Sequence, residues 1–228
     1  MEVERVPTGS EPIDELLEGG IEKGVITNIY GESGTGKTAF CIQASAEVAA
    51  NGGKVAYIDT EGGFSPERMK QIGGETSLEN IVIKNPVEFS QQEETVEELE
   101  AMVESEEIDL IVVDSAVSLY RLKVDGENAS EVNQRLSQQL SELSKIARKH
   151  SIPIMITNQV YTSFDEEDLE LVGRDVPKYW SKCLIKLSEN SSRKMEVSKH
   201  RSIPKGRSRK FSIANEGIVE EKETRGLL

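Results

Sequence analysis

Residues 31–38 read GESGTGKT, and no other stretch constrains the chain as strongly. The octet matches G-x-x-x-x-G-K-[ST] and lies between an apolar run, VITNIY at 25–30, and a helical pattern over 37–50. A strand, a glycine-rich loop and a helix in that order form a cradle for phosphate. Gly31, Gly34 and Gly36 let the backbone curl so that the N–H groups along Glu32, Ser33 and Thr35 point inward. The first helical turn adds unpaired donors and the positive end of its dipole. Lys37 supplies a mobile charge for the β- and γ-phosphates, and the Thr38 hydroxyl stands where Mg²⁺ would be ligated. The expected ligands are ATP and Mg²⁺.

Around this motif, short apolar runs alternate with helical patterns. Residues 55–59, 81–84, 110–114 and 154–158 read as strands, the acidic stretch after 84 as a helix, and about 130–150 as another. In that last helix Val132, Leu136, Leu140, Leu143 and Ala147 recur at three- and four-residue steps and form one apolar stripe. The alternation implies right-handed βαβ crossovers and a mostly parallel sheet. After Lys182 the pattern shifts to short strands at 183–187, 194–198 and 210–213, which predicts an antiparallel extension at one sheet edge. The expected fold class is α/β, with helices flanking the sheet. No repeat or Pro/Gly/Ser-rich linker divides the chain, so one domain is expected over 1–228, with 1–24 as a short lead-in.

Open α/β sheets bind ligands beyond the carboxyl ends of their strands. The strand in IDLIVVDS ends in Asp114, placed to hold Mg²⁺ through its water shell, although an Asp there also serves as an ordinary helix cap. Asp59 and Glu61 in YIDTEGG, and Gln159 in PIMITNQ, mark two further strand ends. Glu61 is the better general base, because a carboxylate accepts a proton from an attacking water. A carboxamide is no base at neutral pH, so Gln159 fits a sensor of the γ-phosphate. Loop polarity is the bland alternative for both.

Composition narrows the class further. The 36% hydrophobic and 30% charged residues describe a globular chain, and no apolar run approaches the ~20 residues of a bilayer crossing. The N-terminus lacks the basic start and apolar stretch of a signal peptide. Two cysteines, Cys41 and Cys183, make neither a disulfide framework nor a metal-type spacing, and His150 and His200 lie far apart, so no zinc site is expected. A reducing cytoplasm is the expected compartment. Net charge is −14, but nine carboxylates and no basic residue occupy 88–107, whereas 193–210 carries eight Lys and Arg against the single acid Glu196. The acidic block reads as a solvated helix face. In the basic stretch, Lys205, Arg207, Arg209 and Lys210 surround the flexible Gly206, either as a solvated β-turn or as contacts to DNA phosphates without sequence preference. Tyr179 and Trp180 are expected to pack in the core, with base stacking as the alternative.

Taken in order, GESGTGKT, YIDTEGGFSPERM, LIVVDS and ITNQV resemble the RecA/RadA recombinase superfamily, and RVPTGSEPIDELLEGGIEKGVITNIYG is similar to that family's approach to its core. The chain starts close to the core strand and stays short, so it looks most like the archaeal RadB branch of RadA paralogues, over nearly its whole length. The resemblance implies a RecA-like core in which Glu61 activates water and Gln159 couples the γ-phosphate to a DNA-binding loop. It implies that Arg68 stacks on adenine and Pro204 caps it. In SKHRSIPKG, Lys199 and Arg201 match Lys-x-Arg fingers that steady γ-phosphate charge across a subunit interface, and Lys199 and Lys205 stand where archaeal RadA has cation-binding carboxylates. The first DNA loop would fall around 122–130 and the second around 161–178, the latter carrying Asp165, Glu166, Glu167, Asp168 and Glu170. Like charges facing phosphates weaken binding. The lead-in also lacks the family's F-x-x-A filament element and its N-terminal helical domain, so neither robust filaments nor strand exchange is expected.

The expected function is an ATP-binding, DNA-associated accessory protein of homologous recombination and repair, with weak ATPase activity. Its implied partners are DNA, the RadA recombinase and a Holliday-junction resolvase. Two alternatives stand beside it: a nucleotide-gated interaction module that uses its acidic surfaces, and a KaiC-like ATPase, which would act as a ring hexamer.

Overall fold

The computed structural model describes residues 3–162, 169–173 and 175–221. The apolar runs become strands β3 (Ile26–Gly31), β4 (Lys54–Asp59), β5 (Ile81–Lys84), β6 (Ile108–Asp114) and β7 (Ile154–Thr162), all joined in parallel. The late strands β9 (Cys183–Glu189), β10 (Arg193–Lys199), β11 (Ser208–Ala214) and β12 (Gly217–Glu220) extend the sheet past β3. Strand β9 still pairs in parallel with β3, and the next three pairings are antiparallel. The order across the sheet is β12-β11-β10-β9-β3-β7-β6-β4-β5, with β8 (Leu169–Leu171) paired to β7.

Strands of this kind are apolar throughout because helices cover both faces. In β6, Leu110 and Val112 join one core while Ile111 and Val113 join the other, as a two-residue side-chain period requires. The first core lies under α2 (Lys37–Ala50), with α1 (Glu11–Leu16) and Met69 of α3 (Pro66–Gly73) beside it. The second lies under α4 (Phe89–Glu106), α5 (Ser118–Lys123) and α6 (Ala129–His150). All five apolar positions expected on α6 are buried. A last short helix, α7 (Asp175–Trp180), leads into β9.

The acidic run is indeed a solvated helix face. Helix α4 buries Phe89, Gln92, Val96, Leu99 and Val103, and its carboxylates point away from the core. Several meet cations: Glu93 pairs with Arg135, Glu98 with Lys84, and Lys149 reaches both Glu100 at 2.6 Å and Glu104 at 3.0 Å. Exposed pairs of this type stabilise by less than ~1 kcal/mol each, so they neutralise the face more than they hold it.

The lead-in is more structured than its composition suggests. Arg5–Val6 (β1) pairs with Ile21–Glu22 (β2), and α1 is inserted between them. Pro12 near the start of α1 suits a first turn that needs no N–H partner there. Buried Gln43 of α2 ties this segment to the far sheet edge: its amide donates to Thr8 O at 3.0 Å and accepts from Ile218 N at 3.0 Å. Ser10 Oγ donates to Ile218 O at 2.6 Å. Among the described residues, no helix is long and apolar enough to cross a membrane.

Replacing Gln43 with Ala leaves one buried carbonyl and one buried N–H without partners. Chemical denaturation should show a loss of about 2–4 kcal/mol with an unchanged denaturant slope.

Candidate nucleotide site

The site is assembled by strand register. Gly31 at the end of β3 lies opposite Gln159 of β7, and Asp59 at the end of β4 lies opposite Asp114 of β6. The phosphate loop leaves β3 so close to β9 that a side-chain carbon on Gly31 would stand 2.2 Å from Leu187 O. Gly36 precedes α2 with φ +102°, a left-handed conformation that side chains rarely adopt, and so turns the chain into the helix. No side chain caps the N-terminus of α2. Within the loop, Thr35 Oγ1 donates to Glu32 O at 2.9 Å, and the Lys37 ammonium donates to Gly31 O at 3.0 Å and Glu32 O at 2.8 Å. Ser33 and Gly34 stand exposed at the tip. Burial pulls the Lys37 amine below its ordinary pKa, and the charges of Glu61 and Asp114 oppose that shift.

Asp114 is 4% exposed. One oxygen accepts from Tyr57 OH at 3.0 Å and the other from Thr157 Oγ1. Each oxygen keeps a further lone pair for a ligand. The peptide that follows, Asp114–Ser115, is cis. Asp59 has a different task, holding the next loop: Oδ1 accepts from Glu61 N and Gly63 N, and Oδ2 from Phe64 N at 2.9 Å. That loop packs against Thr38, since a carbon added to Gly63 would lie 3.6 Å from Thr38 Oγ1. Glu61 at its tip accepts from Gln159 Nε2 at 3.0 Å, and Gln159 Oε1 accepts from Arg121 Nη1 at 3.1 Å. Partial burial raises the Glu61 carboxyl above its ordinary pKa, the Asp114 charge adds to the rise, and Lys37 and the Gln159 bond oppose it.

The residues present suit a magnesium–nucleoside triphosphate. A glycine loop leads to an uncapped helix start, and a lysine now resting on its own loop carbonyls is free to trade them for phosphate oxygens. The carboxylates of Asp114 and Glu61 both act on that lysine.

The remaining expected residues divide. Arg68, in the first turn of α3, donates to Ala214 O, to Asn215 O at 3.0 Å and to Gln71 Oε1 at 2.9 Å. It therefore sits at the β11–β12 turn, whose strand β11 carries Ile213 up to Gly36. Pro204 is exposed on the segment between β10 and β11. Lys199 and Arg201 are exposed but find partners within this chain: Lys199 donates to Lys178 O at 2.7 Å and Ser181 O at 2.8 Å, and Arg201 pairs with Glu22. Glu22 is buried and also faces His200 at 3.4 Å, a ring that burial keeps below its ordinary pKa.

The basic stretch does not form one free surface. Arg207 binds Glu18 Oε1 at 2.6 Å and Glu15 O at 2.8 Å, and Arg209 binds Glu15 Oε2 at 3.0 Å, so both are committed to α1 and the turn after it. The cause is strand pleating: Lys210 points away from its neighbour Arg209. Lys205 and Lys210 stay exposed without an ion pair among the described residues. The expected acidic cluster of the second loop falls at 164–168, outside the described residues. Its last member, Glu170, has a described backbone in β8 and no described side chain.

Sequence reasoning missed Tyr57, Thr157 and Arg121, which orient Asp114 and Gln159. A polar Thr inside the buried run IMITNQ was the available signal.

A phosphate loop at the end of a central parallel strand, with carboxylates at the ends of two further parallel strands of the same sheet, defines a P-loop protein of the RecA-like class. Comparison with known proteins gives the branch. The family model described as Rad51 matches residues 1–223. The DNA repair and recombination protein RadB of Methanobrevibacter smithii is 40% identical over 226 residues, covering 94% of this chain and 95% of its own. That of Methanococcus maripaludis strain C7 is 43% identical over 212 residues, covering 90% and 96%. A crystal structure described as the RadB recombinase superposes with a TM-score of 0.81 at 33% identity, covering 95% of this chain and 100% of that one. The chain belongs to the Rad51 family, in its RadB branch.

Asp59→Ala removes the acceptor shared by three loop amides. Hydrogen exchange at Glu61, Gly63 and Phe64 should accelerate by roughly tenfold while the β4 core amides keep their protection.

Proposed function

We infer that the protein is an ATP-binding, DNA-associated accessory factor of homologous recombination and repair, with residues 1–228 working as one ATPase core. The observation that carries this reading is the linked set Lys37, Glu61, Asp114 and Gln159 at the carboxyl end of the parallel strands, in a chain whose relatives are named as repair and recombination proteins. In this reading residues 31–38 cradle the phosphates, and Lys37 leaves Gly31 O and Glu32 O to bind the outer two. Thr38 and Asp114 would hold Mg²⁺, which supplies charge neutralisation on the phosphate oxygens. Glu61 orients an attacking water and takes its proton, and its raised pKa suits that role. Gln159 senses occupancy, because its amide joins Glu61 on one side and Arg121 on the other. Arg68 and Pro204 flank the adenine side, and Lys199 and Arg201 exchange their present partners for a neighbour's nucleotide on assembly. RadA and an enzyme that cuts Holliday junctions are the expected protein partners.

A second reading has one observation in its favour. Arg207 and Arg209 are tied to Glu15 and Glu18, which leaves Lys205 and Lys210 as the free cations of the basic turn. A nucleotide-gated interaction module would need no DNA surface there.

Lys37→Ala should weaken ATP binding by about 10- to 100-fold in calorimetric titration. Glu61→Gln should bind ATP normally and lose about 10²–10⁴-fold in turnover. Retained repair function in Glu61→Gln cells would favour the gated module over a hydrolysing factor. Hydrolysis needs Glu61 ionised, so turnover should fall as pH drops through a pKa above the ordinary 4.5, and residual turnover in Glu61→Gln should lose that acid limb.

A further inference from the structure

A cavity of about 510 Å³ opens at the other end of β3 from the phosphate loop. It is lined by Gly24, Val25 and Ile26 at the start of that strand and by Ser144, Arg148, Tyr179, Trp180, Lys182 and Arg201. Among its described lining residues there is no carboxylate, in a chain of net charge −14. Two aromatic neighbours behave oppositely. Trp180 is anchored, donating Nε1–H to Ser137 Oγ at 3.0 Å and packing on the α6 side of the core. Tyr179 stands out at 72% exposure, edge-on to Trp180 with ring centroids 5.2 Å apart. The expectation that both rings pack in the core therefore holds for Trp180 alone.

The cations around these rings are built in. In the unassembled chain Lys199 holds the end of α7 through Lys178 O and Ser181 O, and with it the backbone that presents Tyr179. Lys182 follows directly; burial first, and then the Lys182 charge, holds the Lys199 amine below its ordinary pKa. Arg148 extends from the last turn of α6, with Nε bonded to Ser144 O at 3.2 Å. Arg201 lies across Glu22, the buried acid that balances one of these charges from beneath. Lys182 has no ion pair among the described residues, so its charge faces solvent at the rim.

An exposed ring at the end of a helix, beside a cavity whose described lining carries cations and no carboxylate, suits a base stacked beside its own phosphates. Duplex DNA hides its base faces within the stack, so a single strand fits the geometry. We propose that this cavity is a single-strand nucleic-acid site, with Tyr179 as the stacking platform and Arg148 and Lys182 as phosphate contacts. The proposal deepens the DNA-associated reading and rests on it. It also gives an acidic protein a place where a strand can approach without meeting carboxylates.

The chain's single tryptophan, Trp180, reports from inside the site. A fluorescent dT oligomer and a duplex of equal length would be titrated against wild type, Tyr179→Ala, Tyr179→Phe and the pair Arg148→Ala with Lys182→Ala. Thermal melts check that each variant is folded. The expected result is quenching of Trp180 by the dT oligomer, with Tyr179→Ala binding about tenfold more weakly and Tyr179→Phe close to wild type. The double variant should flatten the log–log salt slope by about 1.4, for two lost phosphate contacts. Wild-type binding that all variants share, with Trp180 unquenched, overturns the site and leaves the DNA-associated reading standing. If wild type binds neither oligomer, both fall. If Tyr179→Ala lowers only the sedimenting mass with ATP and leaves dT affinity intact, the cavity is a contact between copies and the proposal is overturned.

Discussion

The parallel register of the central strands is the constraint on which the rest of this structure depends. Gly31 lies opposite Gln159 and Asp59 opposite Asp114, and the β6–β7 register, Val113 with Ile156, brings Asp114 beside Thr157. Side chains alternate across a sheet, so a slip of one residue in β6 would send Val112 and Asp114 to the opposite face. Burial on both faces makes such a slip costly, because Leu110 and Val112 fill one core while Ile111 and Val113 fill the other. The packing that stabilises the sheet is thus the same packing that aims its polar ends.

At that edge, charge is held in tension. Lys37 is partly stripped of water and rests on carbonyl oxygens, while Glu61 and Asp114 pull it toward its charged form. Glu61 is shifted the other way by partial burial and by the Asp114 charge. An anionic phosphate group entering the loop would compensate the lysine and replace its present, weaker partners. The protein's own bonds orient the remaining groups, with Tyr57 and Thr157 on Asp114 and Arg121 on Gln159. Little side-chain reorganisation is then left for ligand binding.

Away from the site, tertiary contacts redistribute a charge pattern that composition describes only in bulk. Acids of α4 meet Lys84, Arg135 and Lys149, and two arginines of the C-terminal strands meet Glu15 and Glu18. Among the described cations without an ion pair are the exposed Lys205 and Lys210 and, at the cavity beside Tyr179, Arg148 and Lys182. For an acidic chain, where its free cations stand says more about its ligands than its net charge does.

By itself the sequence determined the α/β alternation, the phosphate loop, the α6 stripe and the antiparallel late strands. Each is written in local periodicity or in a contiguous motif, and short-range sterics suffice to read it. Glu61, Asp114 and Gln159 were legible as polar residues that end or follow apolar runs, although β7 continues past Gln159 to Thr162. Tertiary structure alone decided that Gln43 ties the lead-in to β12, that Thr157 and Tyr57 hold Asp114, and that Arg207 and Arg209 are spent on α1. It also decided that Trp180 is anchored while its neighbour Tyr179 faces solvent. The physical reason is common to all four: these partners are 35 to 194 residues apart in the chain, and a side chain's partner across that distance is set by sheet order and register, which no local pattern encodes.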